Sequence, residues 1–138
     1  MTFDLQTIAS EKAPKAVGPY VQAVAHGDLL FCSGALPLEP GTGDLDNESV
    51  AAEVRRSLSN LAAVCEEAGT NLDRAIRMGI YTTRLDLFSE INAVYADHFT
   101  GRVPARTTIG VAQLPMGAIV EIDAIVALNH SAALDEQR

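Results

Sequence analysis

The chain has 138 residues, of which 48% are hydrophobic, and these values are typical of a single globular domain. It carries 18 acidic and 10 basic residues, a net charge of −8 at pH 7, and the basic residues are scattered, so composition argues against a nucleic-acid partner. Apolar runs are too short to span a membrane, and the first residues lack the basic and apolar regions of a signal peptide. We therefore expect a cytoplasmic protein without membrane contact.

The first elements predicted along the chain are two strands that form a hairpin. Residues 21–25 and 29–33 are mainly apolar, and Gly27-Asp28 between them is a turn signal. A loop is predicted over 37–47, where prolines, glycines and aspartates dominate.

A long amphipathic helix is predicted over 49–68. Asn47 or Ser49 can cap its first turn, and Gly69 can end it. Apolar residues at spacings of three and four form one stripe: Val50, Val54, Leu58, Leu61, Cys65 and Ala68. Several polar side chains are predicted outside that stripe: Glu53, Arg56, Ser57, Asn60 and Glu67.

A third strand and a second helix follow. The strand covers 75–83, and the helix covers 87–99 with Asp86 as its predicted N-cap. Alternation in the strand separates two sets of side chains, Ile76, Met78 and Ile80 on one face and Arg77, Gly79 and Tyr81 on the other. The apolar stripe of the helix is Phe88, Ile91, Tyr95 and Phe99.

Two more strands, over 106–112 and 119–128, are predicted to pair as a second hairpin joined through 114–117. The element order is then hairpin, helix, strand, helix, hairpin. It predicts one α+β domain over 1–128, in which two helices cover one face of a sheet of about six strands. The polar residues 129–138 are predicted to form a tail.

The last strand indicates how the sheet is covered. One of its faces is apolar and suits the helices: Val120, Ile122, Ala124, Val126 and Leu128. The other face mixes apolar and charged residues: Ile119, Glu121, Asp123, Ile125 and Ala127. Because this mixture suits neither solvent nor a dry core, we expect a second subunit to cover it, with polar groups where the subunits meet.

Metal chemistry has no support in the sequence. The cysteines, Cys32 and Cys65, stand apart within apolar patterns and are expected to be buried thiols. The three histidines, His26, His98 and His130, have no ligand spacing. We therefore expect neither a metal nor a cofactor.

Candidate chemistry lies near the end of the chain. Arg106 begins a strand and shares a face with Thr108, and its planar guanidinium can hold a carboxylate through two hydrogen bonds. Glu121 lies in the next strand, on a face with Asp123. The pattern also fits an ordinary surface arginine and a solvated or salt-bridged glutamate, and the residues alone leave both interpretations open.

The order of several short motifs resembles the RidA (YjgF) family of enamine/imine deaminases over about residues 8–128. Together these motifs are specific, although each is weak alone. They are Ala13-Pro14-x-Ala16-x-Gly18-Pro19-Tyr20-Val21-Gln22, Ser33-Gly34-x-x-Pro37, Ser57-Leu58-x-Asn60-Leu61, Asn92-x-x-Tyr95, Pro104-Ala105-Arg106, Leu114-Pro115 and Val120-Glu121-Ile122.

This resemblance implies a chorismate-mutase-like fold and a homotrimer with a pocket at each subunit interface. It also implies hydrolysis of 2-aminoacrylate or 2-iminopropanoate-type enamines and imines to 2-keto acids and ammonia, without cofactor or metal. The ligand is then a small anionic imino or keto acid. The corresponding catalytic residues are Arg106 and Glu121, and the substrate-binding positions are Tyr20, Ser33, Gly34, Asn92, Arg106 and Thr108.

Two departures leave the substrate open. Thr108 stands where many members have a cysteine, and Ala35 stands where a glutamine often follows the glycine. The alternatives are a specialised catabolic deaminase of a 2-aminomuconate-like substrate and a regulatory protein that binds a small metabolite without turnover. A third alternative, the RNA cleavage or translation inhibition reported for some relatives, is disfavoured by the charge of −8.

Overall fold

The computed structural model describes residues 4–128, which form a six-stranded mixed sheet and two α-helices. The strands are β1 Gln6–Ile8, β2 Ala23–His26, β3 Leu29–Ala35, β4 Ala75–Thr82, β5 Ala105–Gly110 and β6 Val120–Ala127. The helices are α1 Val50–Glu67 and α2 Phe88–His98. The predicted α+β class is confirmed, whereas the predicted tail, 129–138, lies outside the described residues.

The strand order in the sheet is β1-β2-β3-β6-β4-β5. The hairpin of β2 and β3 is confirmed, but the predicted second hairpin is wrong, because β6 lies between β3 and β4 and is antiparallel to both. β5 instead pairs in parallel with β4, and α2 makes the crossover that parallel strands need. The alternating burial of β6 gives it a fully apolar face, which suits the centre of the sheet.

The N-terminal strand β1 was not among the predicted elements. It has only three residues, and it pairs antiparallel with β2 at the edge of the sheet. A strand this short carries too little alternation to be recognised from its sequence.

The caps predicted for α1 are confirmed. Ser49 Oγ accepts a hydrogen bond from the backbone N–H of Ala52 at 3.0 Å. At the other end, Gly69 adopts a φ of 82°, and the N–H of Thr70 donates to the carbonyl of Cys65. This positive φ is readily available to glycine and ends the helix.

The polar side of α1 is more buried than its sequence pattern predicts. Glu53 and Ser57 have no exposed surface and Asn60 is 2% exposed. Both Asn60 and Glu53 bind backbone outside the helix: Asn60 Nδ2 donates to the carbonyls of Leu36 and Leu38, and Glu53 Oε1 accepts from the N–H of Ile119. The helix is therefore covered by loops as well as by the sheet.

Two further predictions need correction. Asp86 does not cap α2, since it lies in a 3₁₀ turn, Leu85–Leu87, and pairs with Arg84 at 2.8 Å. Ile76 does not share the buried face with Met78 and Ile80, because a bulge between β4 and β6 shifts the register and leaves it 42% exposed.

The sheet has one face packed on the helices and one open face. The apolar side chains of β6 are buried against the helices as predicted, and Glu121, Asp123 and Ile125 alternate with them on the open face. Phe31 and Ile109 share that open face and are 43% and 44% exposed. Within residues 4–128, neither helix has the length and apolar character needed to cross a membrane.

Candidate functional site

A cavity of about 380 Å³ lies between the N-terminal loop, the end of β3 and helix α1. Four of the predicted site residues line it together: Tyr20, Ser33, Gly34 and Glu121. This cavity is one of the two places where the predicted site residues gather, and we call it the Glu121 pocket.

The backbone at Gly34 and the side chain of Glu121 are in direct contact. A Cβ atom at position 34 would lie 2.5 Å from Glu121 Oε2, closer than any real side chain tolerates. β3 carries a bulge between Cys32 and Ala35, and Gly34 lies within it. The absence of a side chain at Gly34 thus fixes how near the carboxylate sits to the strand.

The surroundings of Glu121 favour its protonated form. Burial raises the pKa of its carboxyl above the usual value, and the charge of Asp123 raises that pKa further. Asp123 in turn accepts a hydrogen bond from the hydroxyl of Tyr81 at 2.9 Å. A glutamate in this environment can hold a proton at a pH at which an exposed glutamate has lost it, as general acid–base chemistry requires.

Tyr20 and Ser33 are held by the loop that leads into β2. Ser33 Oγ donates to the carbonyl of Val21 at 2.6 Å, and the hydroxyl of Tyr20 accepts from the N–H of Val17 at 3.3 Å. Both hydroxyls lie on the wall of the Glu121 pocket.

Gln22 fixes the loop that forms one wall of the pocket, and sequence reasoning assigned it no role. Its Oε1 accepts from the N–H of Ser10 at 2.6 Å, and its Nε2 donates to the carbonyls of Ser10 and Pro14. The available signal was the presence of Gln22 in the motif after Tyr20, since a glutamine that ends a loop of small residues can bind backbone from both sides.

Arg106 lies away from this pocket. It pairs in register with Met78, which is fully buried on the helix face, whereas Glu121 pairs with Tyr81 on the open face. Paired residues of neighbouring strands share a face, so Arg106 and Glu121 of one chain project from opposite faces of the sheet. The two predicted catalytic residues therefore do not meet within one subunit.

Aromatic rings of α2 support the Arg106 guanidinium. Its Cζ lies 4.9 Å from the ring centre of Tyr95 and 5.8 Å from that of Phe88, within the range of a cation–π contact. Stacking on a flat ring keeps a guanidinium plane fixed while its N–H groups remain available. The sequence analysis assigned Phe88 and Tyr95 to the apolar stripe of the helix and gave neither a contact with Arg106; the signal missed was their place on the helix that leads into β5.

Polar atoms without partners occur on the two elements that carry this arginine and its aromatic rings. Asn92 lies between Phe88 and Tyr95 in the sequence of α2, and Thr108 follows Arg106 on the same face of β5. In the described part of the chain, Asn92 Oδ1, Tyr95 Oη and Thr108 Oγ1 are buried without a hydrogen-bond partner. Buried polar atoms are normally satisfied, so this second cluster, the Arg106 half-site, has capacity for a polar ligand.

Candidate metal ligands do not cluster in the described structure. Among residues 4–128, no group of three histidine, cysteine, aspartate or glutamate side chains could hold a metal ion. Cys32 and Cys65 are both free thiols.

Comparison with known proteins identifies the relatives of this chain. The sequence model of the family described as Endoribonuclease L-PSP matches residues 10–128. The protein DfrA of Myxococcus xanthus is 43% identical over 122 residues, which cover 87% of this chain and 93% of DfrA. The 2-iminobutanoate/2-iminopropanoate deaminase of Escherichia coli K12 is 40% identical over 123 residues, 87% of this chain and 95% of that enzyme.

Solved structures agree with these sequence relationships. The YjgF gene product of E. coli superposes with a TM-score of 0.86 at 38% identity, covering 90% of this chain and 99% of that chain. TdcF of E. coli, solved with bound serine, gives a TM-score of 0.84 at 36% identity, with 90% and 99% coverage. The sequence and the fold of the present chain together show that it belongs to the Endoribonuclease L-PSP family, which includes the RidA, YjgF and RutC proteins.

Proposed function

We propose that this protein is a deaminase that hydrolyses 2-aminoacrylate and 2-iminopropanoate-type enamines and imines to 2-keto acids and ammonia. The named activity of the E. coli relative at 40% identity supports the reaction class. The bound serine of TdcF supports a ligand with a carboxylate beside a nitrogen-bearing carbon. Two polar half-sites that suit the two ends of such a ligand are the observation that carries the proposal.

The proposal requires subunits to combine. Arg106 and Glu121 face opposite sides of one sheet, so a complete site needs the Arg106 half-site of one subunit and the Glu121 pocket of the next. A ring in which each subunit presents one surface to one neighbour and a different surface to the other satisfies this requirement. We propose a cytoplasmic homotrimer, and the uncovered sheet face with its exposed Phe31 and Ile109 supports it.

The chemistry follows from the two half-sites. Arg106 holds the carboxylate of the substrate, which orients the C=N carbon toward the Glu121 pocket. Water adds to that carbon, and Glu121 takes a proton from the water and delivers it to the nitrogen. Glu121 then takes the remaining hydroxyl proton and passes it to the nitrogen, so that the C–N bond breaks, ammonia leaves and the C=O bond forms. Tyr20 and Ser33 steady the nitrogen end, while Asn92 and Thr108 support the carboxylate end.

Subunit mixing tests the shared site directly. Arg106→Ala and Glu121→Gln are prepared separately, then mixed, dissociated in mild denaturant and reassembled. Random exchange between the two variants leaves about a quarter of the shared sites with both native residues. We therefore expect activity on the imine released by a serine or threonine dehydratase to reappear on mixing, to about a quarter of the native rate.

Controls separate assembly from chemistry. The double variant Arg106→Ala/Glu121→Gln, taken through the same procedure alone, should stay inactive. Native protein taken through that procedure should recover its rate. Mixed single variants that remain inactive although native protein recovers would contradict a site shared between subunits. Native protein that never accelerates keto-acid formation beyond the spontaneous rate would contradict the deaminase proposal itself.

A further inference from the structure

The open face of the sheet carries charged groups beside Glu121 to which the proposed reaction gives no part. Asp123 follows Glu121 on this face of β6, and Arg77, Gly79 and Tyr81 occupy the same face of β4. Asp123 pairs in register with Gly79, so it stands opposite a residue without a side chain. Its diagonal neighbours on β4 are therefore Arg77 on one side and Tyr81 on the other, both within reach of a long side chain.

Asp123 is bound to Tyr81. The hydroxyl of Tyr81 donates to Asp123 Oδ2 at 2.9 Å. A Cβ atom at Gly79 would overlap Asp123 Oδ1 and lie 3.0 Å from Tyr81 Oη, so this bond lies over bare backbone. The bond is also the main reason why the pKa of the Tyr81 hydroxyl is raised, which means that Tyr81 keeps its proton and remains the donor.

The other diagonal neighbour, Arg77, is held in a different direction. Its Nη2 donates to Oγ1 of Thr107 on β5 at 3.1 Å. Since β5 and β6 lie on opposite sides of β4, this bond directs Arg77 away from Asp123. Among the ion pairs within residues 4–128, none joins Arg77 to Asp123, although opposite charges at such positions attract one another. Two hydrogen bonds thus keep the two opposite charges apart.

This separation matters for Glu121. Burial raises the pKa of the Glu121 carboxyl, and the charge of Asp123 raises that pKa further. An arginine paired with Asp123 would offset most of the repulsion that Glu121 experiences. The titratable and charged groups near these two carboxylates come from the N-terminal loop, β3 and β4, and they are Lys15, Tyr20, Cys32, Arg77 and Tyr81. Of these, Arg77 is the cation that belongs to the sheet itself.

We propose that Tyr81 and Thr107 are positioning residues: by holding Asp123 and Arg77 apart, they leave the charge of Asp123 to act on Glu121. Neither residue lines the Glu121 pocket. The inference deepens, and in its kinetic test rests on, the deaminase function proposed above. A carboxylate beside Glu121 makes Glu121 take up a proton more readily, which suits a group that must collect and deliver protons during turnover.

Removing the Tyr81 hydroxyl tests one of the two bonds. Tyr81→Phe keeps the ring and releases Asp123, which is then able to pair with Arg77. Glu121 should ionise at lower pH, so the acidic limb of the kcat profile should move to lower pH. At a pH on that limb, kcat relative to its own plateau should exceed the native ratio about threefold or more. A fall in kcat at every pH with the limb in its native place would mean that Tyr81 is merely structural, and would overturn the proposal.

Releasing Arg77 tests the other bond. Thr107→Val removes the acceptor of Arg77 and should move the acidic limb in the same direction as Tyr81→Phe. When Arg77→Met is already present, Thr107→Val should no longer move it. Thr7→Val, a matched change at an exposed position of the edge strand β1, should leave the limb as in the native protein. A native limb in Thr107→Val would overturn the proposal.

A double-variant cycle identifies Asp123 as the link. In an Asp123→Asn background, neither Tyr81→Phe nor Thr107→Val should move the limb any further. A shift of equal size with and without Asp123 would show that the two residues act on Glu121 by another route, and would overturn the proposal.

Carboxyl ¹³C NMR supplies a readout that does not depend on turnover. The protein is labelled at the side-chain carboxyl of glutamate and titrated, and the Glu121 signal is identified by its loss in Glu121→Gln. Glu121 should titrate at lower pH in Tyr81→Phe and in Thr107→Val than in the native protein. Unchanged titration in both variants overturns this inference even in an active deaminase. Native protein without turnover contradicts the deaminase function alone, because the titration still decides the roles of Tyr81 and Thr107.

Discussion

At the scale of single residues, the Glu121 carboxylate lies close to Gly34, which has no side chain. Asp123 is a charged neighbour of Glu121 on the same strand. The two contacts act differently. Gly34 sets the position of the carboxylate, because any side chain there would displace it. Asp123 affects its protonation, because its charge adds to the effect of burial on the Glu121 pKa.

Asp123→Asn is predicted to extend activity to lower pH. Glu121 must be ionised to take a proton from water, so activity falls on the acidic side as this group protonates. Removing the Asp123 charge lowers the Glu121 pKa, and the acidic limb of the kcat profile should therefore move to lower pH. Asp97→Asn, an exposed change on α2, should not move it. An unchanged limb in Asp123→Asn would show that another group governs the profile.

Arg106→Ala is predicted to reduce kcat/KM on small imines by about tenfold to a hundredfold, since a charged hydrogen bond contributes roughly 1.5–3 kcal/mol. Arg106→Lys should restore only part of the loss, because an ammonium group neither stacks on Tyr95 as a plane nor binds a carboxylate in two places. Arg55→Ala, at an exposed position of α1, serves as the charge-matched control. Native kinetics in Arg106→Ala would assign the arginine a purely structural role.

At the scale of elements, Glu53 connects α1 to the beginning of β6. Its Oε1 accepts from the N–H groups of Ile119 at 2.8 Å and Val120 at 3.3 Å. Glu53 thereby anchors the strand that carries Glu121 one residue further on. Burial raises the pKa of the Glu53 carboxyl, although the two backbone hydrogen bonds oppose that rise.

Glu53→Ala is predicted to lower the free energy of unfolding by about 1–3 kcal/mol, because two buried N–H groups lose their acceptor. Glu53→Gln keeps an oxygen that can accept these hydrogen bonds, so it should lower the free energy of unfolding by less. The pKa of Glu53 is higher in the folded chain than in the unfolded chain, where it is about 4.5. The contribution of Glu53 to stability is therefore fully present below the unfolded-state pKa and is lost as the pH rises through the folded-state pKa.

Thermal unfolding across pH measures this contribution. The difference in Tm between Glu53→Gln and the native protein should move in favour of the variant as pH rises from about 4.5. Ser59→Ala, an exposed change on the same helix, should show a constant difference. A constant difference for Glu53→Gln as well would mean that burial does not penalise its charge.

The sequence predicts elements better than their pairing. The spans of α1 and of the β2–β3 hairpin follow from local periodicity, caps and a turn, all of which lie within a few residues of one another. The insertion of β6 between β3 and β4 depends on contacts across the whole chain, which no local pattern records. The burial of Glu53 has the same origin, since its partners at Ile119 and Val120 are distant in sequence.

At the scale of the whole molecule, the open face of the sheet is the surface proposed to meet other subunits. Ile109→Asp, on that face, is predicted to leave a monomer near 14.6 kDa and to abolish imine hydrolysis, because a carboxylate buried at an interface costs more than assembly recovers. Sedimentation and activity are measured together. Ala96→Asp, exposed on the outer side of α2, should change neither. An active assembly in Ile109→Asp would contradict the role of this face.

The motifs name candidates for the site, but they do not show how the fold divides those candidates. The motifs identified Tyr20, Ser33, Gly34, Asn92, Arg106, Thr108 and Glu121 as candidates. Their separation into two sets depends on the parallel register of β5 against β4, which directs Arg106 to the helix face. The contact of Arg106 with the rings of Phe88 and Tyr95 could not be predicted either, because both rings belong to a stripe that resembles any apolar helix face.

That register has a consequence for how the protein behaves at low abundance. Arg106 and Glu121 of one chain project from opposite faces of the sheet, so in the proposed site a lone chain supplies only part of each of two different sites. Under the proposed arrangement, turnover per chain is not a fixed property but depends on concentration. Turnover per chain falls to zero when dilution dissociates the chains, and it rises with protein concentration as the chains associate. In that case, below the concentration at which the chains are fully assembled, total activity rises more steeply than in proportion to the amount of protein.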